Sequence, residues 1–294
     1  MFSAVHGHNE AQNILYKLVI KPFQEKEVVS DVVSILLIGP AGCGKSYLVK
    51  ALADELKGVA SYHHLHSSSI IGHSHEQDGQ TKYLRNEISS VVASRPSIFF
   101  VDDLASEDAM FPCAFTSQYG HQLAQELTKL KQSEDSSGVV FIAATQSPWN
   151  MNQHLWQLFD VQIYLQNLSF DERFAFLQNS LQDITLEAGV VQDLATRTEQ
   201  YTGADLSILC QEIGFIPIRI LMATSHFKET FKNGKFTACS PSDEGAIEMK
   251  LEDIAEDDLE FEPISTDAAI ERLHPPTVDW QKYKLFQDTR PTLV

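Results

Sequence analysis

The chain has 294 residues, 43% of them hydrophobic, and its 40 acidic side chains outnumber 22 basic ones, which gives a net charge of −18 at pH 7. This length is enough for one or two domains with a large core, and the acidic balance argues against general binding to nucleic acid or to an anionic membrane surface. The sequence shows no signal peptide, and no apolar run approaches the roughly 20 residues that a membrane helix needs, so direct membrane insertion is not expected. The four cysteines have neither metal-ligand nor disulfide spacing, which predicts a reducing, cytoplasmic location.

The first predicted elements surround a glycine-rich segment. Residues 4–22 predict a loop at Gly7 followed by a helix, residues 32–38 predict a buried strand, and residues 47–56 predict a helix. Between that strand and that helix the sequence fits G-x-x-x-x-G-K-[ST], the pattern of a phosphate-binding loop. The residues of this loop are Gly39, Pro40, Ala41, Gly42, Cys43, Gly44, Lys45 and Ser46.

This phosphate-binding loop predicts a site for a nucleoside triphosphate. A glycine-rich turn between strand and helix presents backbone N–H groups to phosphate oxygens, and the helix dipole adds positive potential. We expect Lys45 to reach the β- and γ-phosphates and the Ser46 hydroxyl to ligate Mg²⁺, so ATP and Mg²⁺ are the predicted cofactors. The alternative is a chance match in a surface loop.

Further strands alternate with helices along the first part of the chain. The predicted strands are 59–65, 98–103, 139–146 and 160–165, and the predicted helices are 82–93 and 120–130. This alternation predicts a parallel sheet covered on both faces, within a first domain at residues 1–166. Because one strand ends in two carboxylates, we expect Asp102 to complete the Mg²⁺ shell and Asp103 to polarise the attacking water. The alternative is an aspartate pair that caps the next turn.

The pattern changes near residue 167. Helices are predicted at 169–181, 194–200 and 205–223, followed by short β-like segments at about 232–262. Acidic residues are frequent between positions 252 and 262, which is typical of a solvated surface. Residues 167–294 are therefore predicted to form a second, smaller domain.

The order of these motifs resembles the meiotic clade of AAA ATPases, and within it the vacuolar protein sorting 4 family. The segments that carry the resemblance are the phosphate-binding loop, the strand ending at Asp102, Ala143–Thr145, Thr202–Asp205, Ser225–Lys228, Cys239–Met249 and Asp279–Asp288. The resemblance implies an α/β fold, in which the P-loop NTPase parallel sheet of the AAA large domain precedes a small helical lid. It also implies that the lid carries a β insertion and a C-terminal helix at about 279–289.

Activity and partners follow from the same resemblance. It implies further nucleotide contacts at Tyr47, Gly7, Gly203 and Ala204. It also implies a homo- or hetero-oligomeric AAA ring that remodels ESCRT-III-like polypeptides, in the cytoplasm and on endosomal membranes. Microtubule severing, the activity of sibling enzymes, fits poorly, because gripping acidic tubulin tails requires basic pore loops.

Several positions depart from the family pattern at the hydrolysis residues. Asp103 stands where the family has Glu, and Gln146 stands where it has Asn. The family's two arginines before a Phe are missing, since no Arg or Lys lies from Gln132 to Glu172. An arginine finger is worth about 10³–10⁵ in rate, so we expect weak hydrolysis. The alternative function is a nucleotide-binding, poorly hydrolysing regulatory subunit in a mixed ring with an active relative.

The pore loops and the N-terminus also depart from the pattern. Residues 71–75 lack the bulky aromatic of the family, and no basic pair stands near residues 119–121. Relatives begin with a three-helix domain that binds ESCRT-III tails, so either this chain lacks that domain or its sequence is a piece of a longer one. Five histidines raise the alternative of a zinc site, although surface or pore-loop positions are expected because no ligand set is complete. They are His63, His64, His66, His73 and His75.

Overall fold

A parallel sheet forms the centre of the first of two compact units. The computed structural model describes residues 5, 7–25, 33–66, 79–104, 120–132, 137–151, 153–230, 234–273 and 278–289. The strands are β1 Val33–Ile38, β2 Ser61–His66, β3 Ser97–Asp102, β4 Val139–Thr145 and β5 Val161–Tyr164. They pair in parallel in the order β2-β3-β4-β1-β5, which confirms the predicted α/β class.

Helices cover both faces of this sheet. They are α1 Asn9–Leu15, a π-helical stretch Tyr16–Ile20, α2 Lys21–Glu25, α3 Lys45–Glu55, α4 Gly79–Ala93, α5 Gly120–Gln132 and α6 Gln153–Trp156. Because side chains alternate along a strand, Ile35 and Leu37 join the core beneath α3, whereas Leu36 and Ile38 join the core beneath α4 and α5. The near-continuous apolar runs of the strands reflect this burial on both faces.

A polar cluster joins the start of β1 to the segment before β5. The buried Ser34 hydroxyl donates to Asp160 Oδ2 at 2.5 Å, and Lys131 Nζ lies 2.8 Å from the same oxygen. Burial alone would raise the pKa of Asp160, but the hydrogen bonds from Lys131 and Ser34 outweigh it and hold that pKa below its usual value. The ionised carboxylate therefore stabilises the folded chain.

The second unit spans residues 168–277. Its helices are α7 Phe170–Ser180, α8 Val190–Arg197, α9 Gly203–Ala223 and α10 Asp267–Arg272, and its strands are β6 His226–Thr230, β7 Lys235–Ala238 and β8 Ala246–Glu248. The three strands form an antiparallel sheet in the order β7-β6-β8. Capping boxes at Ser169 and Thr202 begin α7 and α9, which fixes where these two helices start.

The C-terminal helix, α11 Trp280–Thr289, belongs to the first compact unit, which comprises residues 1–167 and 278–294. The sequence pattern predicts it as part of the lid domain. Its aromatic side chains explain the difference, because Phe286 packs edge-on against Trp156, with ring centroids 5.4 Å apart.

Other elements in the second unit also differ from the predictions. Helix α8 begins at Val190 and ends at Arg197, whereas the prediction was 194–200, because Gly189 adopts a left-handed φ of 86° just before it. The β insertion begins at His226 rather than near 232, since Phe227 is fully buried in its core. The short helix α10 was not predicted.

Helix α9 also corrects the expectation about apolar runs. With 21 residues and a mean hydropathy of 1.6, it is long and apolar enough to cross a membrane by length and composition alone. Leu206, Leu209 and Ile213 are fully buried in the core of the second unit, but only 17% of the apolar window is buried, and large apolar side chains such as Phe215 and Met222 are exposed.

Candidate functional site

The phosphate-binding loop starts at the carboxyl end of β1, where close packing requires a glycine. Gly39 N–H donates to the Thr145 carbonyl at 3.3 Å. A Cβ at position 39 would lie 2.8 Å from Cys43 Sγ and 2.9 Å from the Leu165 carbonyl oxygen, which is too close for either contact. The loop is therefore pressed against the ends of both neighbouring strands.

Two further glycines set the path of the loop into α3. Gly42 and Gly44 have φ values of 76° and 101°, in the left-handed region where a side chain is costly. Gly44 precedes the first residue of α3 and offers no side-chain cap, so the N–H groups of the first helical turn remain available to an anion.

Lys45 folds back over this loop. Its Nζ donates to the carbonyls of Gly39 and Pro40, each at 2.8 Å. Cys43 Sγ lies 3.9 Å from the same ammonium. Burial raises the pKa of the Cys43 thiol more strongly than the charge of Lys45 lowers it, so the thiol stays neutral and packs as a small apolar group.

An oxygen pair suited to a hard divalent cation lies beside the loop. Ser46 Oγ donates to Asp102 Oδ2 at 2.5 Å, and Asp102 is the last residue of β3. His64 Nε2 lies 3.9 Å from the same carboxylate oxygen, and its ring stacks on Phe100 with centroids 5.1 Å apart. A hydroxyl and a carboxylate oxygen are ligands that Mg²⁺ accepts, so this pair could hold one.

The second carboxylate is held by an amide. Asp103 has a left-handed φ of 58°, and its N–H donates to Asp102 Oδ1 at 2.9 Å. Gln146, just after β4, donates from Nε2 to Asp103 Oδ1 at 3.0 Å. The structure thus brings together the two side chains that the sequence singled out for hydrolysis.

The N-terminal segment also reaches the loop. Gly7 has φ 88°, and the adjacent His8 places Nε2 2.9 Å from the Cys43 carbonyl. Sequence reasoning singled out Gly7 but missed His8, for which no motif gave a signal. Tyr47, in the first turn of α3, is 53% exposed.

Other candidate residues belong to the second unit or lie outside the described residues. Gly203 and Ala204 begin α9 in the second unit, and their contact with nucleotide stays a prediction. The pore-loop residues 71–75 and residue 119 lie outside the described residues. Within the described ranges no group of three or more His, Cys, Asp or Glu side chains could hold a metal, while His73 and His75 fall outside them.

The segment where arginines were expected is apolar and packed. Leu158 is buried in the core beneath α4 and α5, and Trp156 packs against the C-terminal helix, whereas Gln157 is exposed. The same helix supplies a contact that no sequence motif indicated: the Tyr283 hydroxyl donates to the Gln146 carbonyl at 2.5 Å.

Three family models match successive parts of the chain. The model of the ATPase family associated with various cellular activities (AAA) matches residues 35–167, and that of the AAA+ lid domain matches residues 190–232. The model of the Vps4 C terminal oligomerisation domain matches residues 236–292. Together they follow the order that the sequence resemblance implied.

Curated relatives match nearly the whole chain. Vacuolar protein sorting-associated protein 4B of Mus musculus is 28% identical over 315 residues, covering 99% of this chain and 66% of the relative. Protein SUPPRESSOR OF K(+) TRANSPORT GROWTH DEFECT 1 of Arabidopsis thaliana is 26% identical over 301 residues, with the same two coverages. The chain thus spans just under two thirds of the length of these relatives.

Solved structures show the same fold. The crystal structure of the FIGL-1 AAA domain matches with a TM-score of 0.72 at 20% identity, over 98% of this chain and 89% of that chain. The structure of that domain in complex with ADP matches with a TM-score of 0.71 at the same identity, over 98% and 90%. The chain thus has an AAA domain, an AAA+ lid domain and a Vps4-type C-terminal domain, and its similarities are those of a divergent Vps4-like AAA ATPase.

Proposed function

We propose that this chain binds ATP with Mg²⁺ at its phosphate-binding loop and works in an oligomeric AAA ring that remodels ESCRT-III-like polypeptides. The observation that carries the nucleotide proposal is the 2.5 Å contact between Ser46 Oγ and Asp102 Oδ2, directly beside the loop that Lys45 spans. The ADP complex of the structurally similar FIGL-1 domain supports the same reading.

Each loop residue has a distinct part in this proposal. The N–H groups that follow Gly44 bind phosphate oxygens at the N-terminus of α3. Lys45 exchanges its two carbonyl partners for oxygens of the β- and γ-phosphates. Ser46 and Asp102 would hold the metal ion, which would neutralise charge on the phosphates. Gly7 and Tyr47 contribute contacts to the nucleoside.

Hydrolysis would use the Asp103–Gln146 pair. Asp103 orients a water molecule and accepts its proton as the water oxygen bonds to the γ-phosphorus and the bond to the bridging oxygen breaks, leaving ADP and phosphate. Gln146 holds the Asp103 carboxylate through its 3.0 Å hydrogen bond. Without arginines near Phe159, turnover by this chain alone is expected to be slow.

A second function is favoured by the packing of Trp156. This side chain occupies the segment from which the family presents arginines to the neighbouring subunit, and in this chain it packs on Phe286 instead. A subunit built in this way would bind nucleotide, take its catalytic cation from an active relative in a mixed ring, and slow the site next to it. The matched Vps4 C terminal oligomerisation domain supports ring assembly in either case.

A thermal-shift experiment tests nucleotide binding. At an ATP concentration 100 times the Kd, ATP with Mg²⁺ should stabilise the parent chain by about 2.7 kcal/mol through mass action. Lys45→Ala should abolish most of that stabilisation, whereas Lys50→Ala, a matched exposed lysine on the same helix, should retain it. Equal stabilisation of the Lys45→Ala variant and the parent would contradict the site assignment.

Steady-state hydrolysis separates the two functions. Turnover that rises steeply with protein concentration would indicate a self-assembled working ring. Binding without turnover at any concentration, combined with altered turnover after addition of an active AAA relative, would indicate the mixed-ring function.

A further inference from the structure

The C-terminal helix α11 docks directly behind Gln146. The Tyr283 hydroxyl donates to the Gln146 carbonyl at 2.5 Å, across 137 residues of sequence. Its ring meets Trp149 edge-on with centroids 5.2 Å apart, and Phe286 meets Trp156 in the same way at 5.4 Å. The aromatic contacts hold the helix in place, while the hydroxyl acts on one peptide group.

That peptide group belongs to a residue whose other end faces the hydrolysis centre. Gln146 Nε2 donates to Asp103 Oδ1 at 3.0 Å, and Asp103 N–H donates to Asp102 Oδ1 at 2.9 Å. Three hydrogen bonds, joined through the covalent structure of Gln146 and Asp103, therefore link Tyr283 to both carboxylates. Misplacement of a catalytic group by about 1 Å can lower a rate roughly 10²-fold, so anchoring the Gln146 backbone has a direct consequence for rate.

The hydroxyl of Tyr283 is not needed for the aromatic packing. Phenylalanine would keep the contact with Trp149 and the apolar contacts of the ring. What it would lose is the donor for the Gln146 carbonyl, which lies in a partly buried position. The hydroxyl therefore fixes the position of Gln146, and the aromatic contacts rather than the hydroxyl dock the helix.

We propose that Tyr283 is a positioning residue for ATP hydrolysis, which fixes the Gln146 backbone so that the Gln146 amide holds Asp103 in place. The inference rests on the proposed function, since it assumes that Asp103 and Gln146 serve ATP turnover. It gives the C-terminal helix a role within its own subunit, in addition to oligomerisation.

The test compares Tyr283→Phe with Thr289→Val. Thr289 is a matched control, because its hydroxyl belongs to the same helix and bonds to the Phe286 carbonyl within it. Tyr283→Phe should lower kcat by about 5- to 20-fold with the KM for ATP within about twofold of the parent, and sedimentation should show unchanged assembly. Thr289→Val should match the parent in all three.

Tryptophan emission gives a second readout that does not require turnover. All three tryptophans of the chain, Trp149, Trp156 and Trp280, contact aromatic residues at this helix. Addition of ATP with Mg²⁺ should change the tryptophan emission of the parent. At equal nucleotide occupancy, the emission change of Tyr283→Phe should be less than about half of the change seen in the parent.

The outcomes separate this inference from the proposed function. A parent that shows no ATP-dependent thermal shift would overturn the proposed function. If the parent binds ATP but Tyr283→Phe shows the same emission change and the same turnover as the parent, the positioning role alone is overturned. Where turnover is too slow to measure, the emission change decides.

Discussion

Replacing Gly39 with alanine perturbs the first residue of the phosphate-binding loop without changing its charge. The added Cβ would lie 2.8 Å from Cys43 Sγ and 2.9 Å from the Leu165 carbonyl oxygen. Neither neighbour can move freely, since Cys43 is buried and Leu165 N–H is bonded to the Ile38 carbonyl at 2.8 Å. The loop itself must therefore shift away from the end of β5.

The magnitude of this effect follows from two opposing contributions. Overpacking of a close-packed site costs about 1–3 kcal/mol. Replacing glycine with alanine recovers about 0.4–1 kcal/mol by restricting the unfolded chain. The net loss of about 1–2 kcal/mol should lower Tm by about 2–8 °C for a protein of this size. Because the loop moves, the stabilisation by ATP with Mg²⁺ should shrink as well.

Thermal unfolding followed by circular dichroism, with and without ATP and Mg²⁺, measures both effects. Gly214→Ala is the control, because a Cβ there meets only Ile184 Cδ1 at an ordinary 3.7 Å inside α9, where alanine is favoured by about 1 kcal/mol. It should melt at or above the temperature of the parent. If Gly39→Ala melts as high as the parent and keeps the full nucleotide shift, the reasoning from close packing at the loop is refuted.

Three further experiments test other features of the first unit. Asp160→Asn should lower Tm at pH 7 and remove part of the dependence of Tm on acid pH, which melts from pH 7 to pH 3 measure. The reason is that the folded chain lowers the pKa of Asp160. Such a carboxylate stabilises the fold above its unfolded pKa of about 3.9, and the stabilisation is lost as pH falls through the folded pKa. Gln157→Arg should leave Tm nearly unchanged, whereas Leu158→Arg should destabilise the fold by about 3 kcal/mol in denaturant titrations, because it places a guanidinium in the core. Asp103→Glu and Gln146→Asn should each lower kcat, and the double exchange should recover more activity than additivity allows.

The parts of the fold that the sequence predicted depend on short-range patterns. The strands of the parallel sheet are apolar runs beside helices with regular apolar spacing, and the phosphate-binding loop is a contiguous motif. Burial on both faces leaves such strands with little ambiguity. Boundaries shifted where a single residue decided them, as with Gly189 before α8.

The contacts that the sequence did not predict join distant segments. His8 reaches the Cys43 carbonyl, and Tyr283 reaches the Gln146 carbonyl. In both cases a side chain binds a backbone group, which carries no residue-specific signal at the accepting position. A pattern in one segment cannot indicate such a partner until the fold has placed the two segments together.

The pair formed by Asp103 and Gln146 changes the reason for expecting slow hydrolysis. In the sequence each residue looks like a defect, since one side chain is a methylene shorter than the family pattern and the other a methylene longer. In the structure the two changes offset one another, because the Gln146 amide meets the Asp103 carboxylate at 3.0 Å. Asp also suits the left-handed φ of 58° at position 103, a conformation in which Asp is several-fold enriched. Since the two side chains are matched in length, the expectation of slow turnover now depends on charge, namely on the missing arginines near Phe159. In the proposed mixed ring, a cation supplied by a neighbouring subunit would be enough to restore turnover.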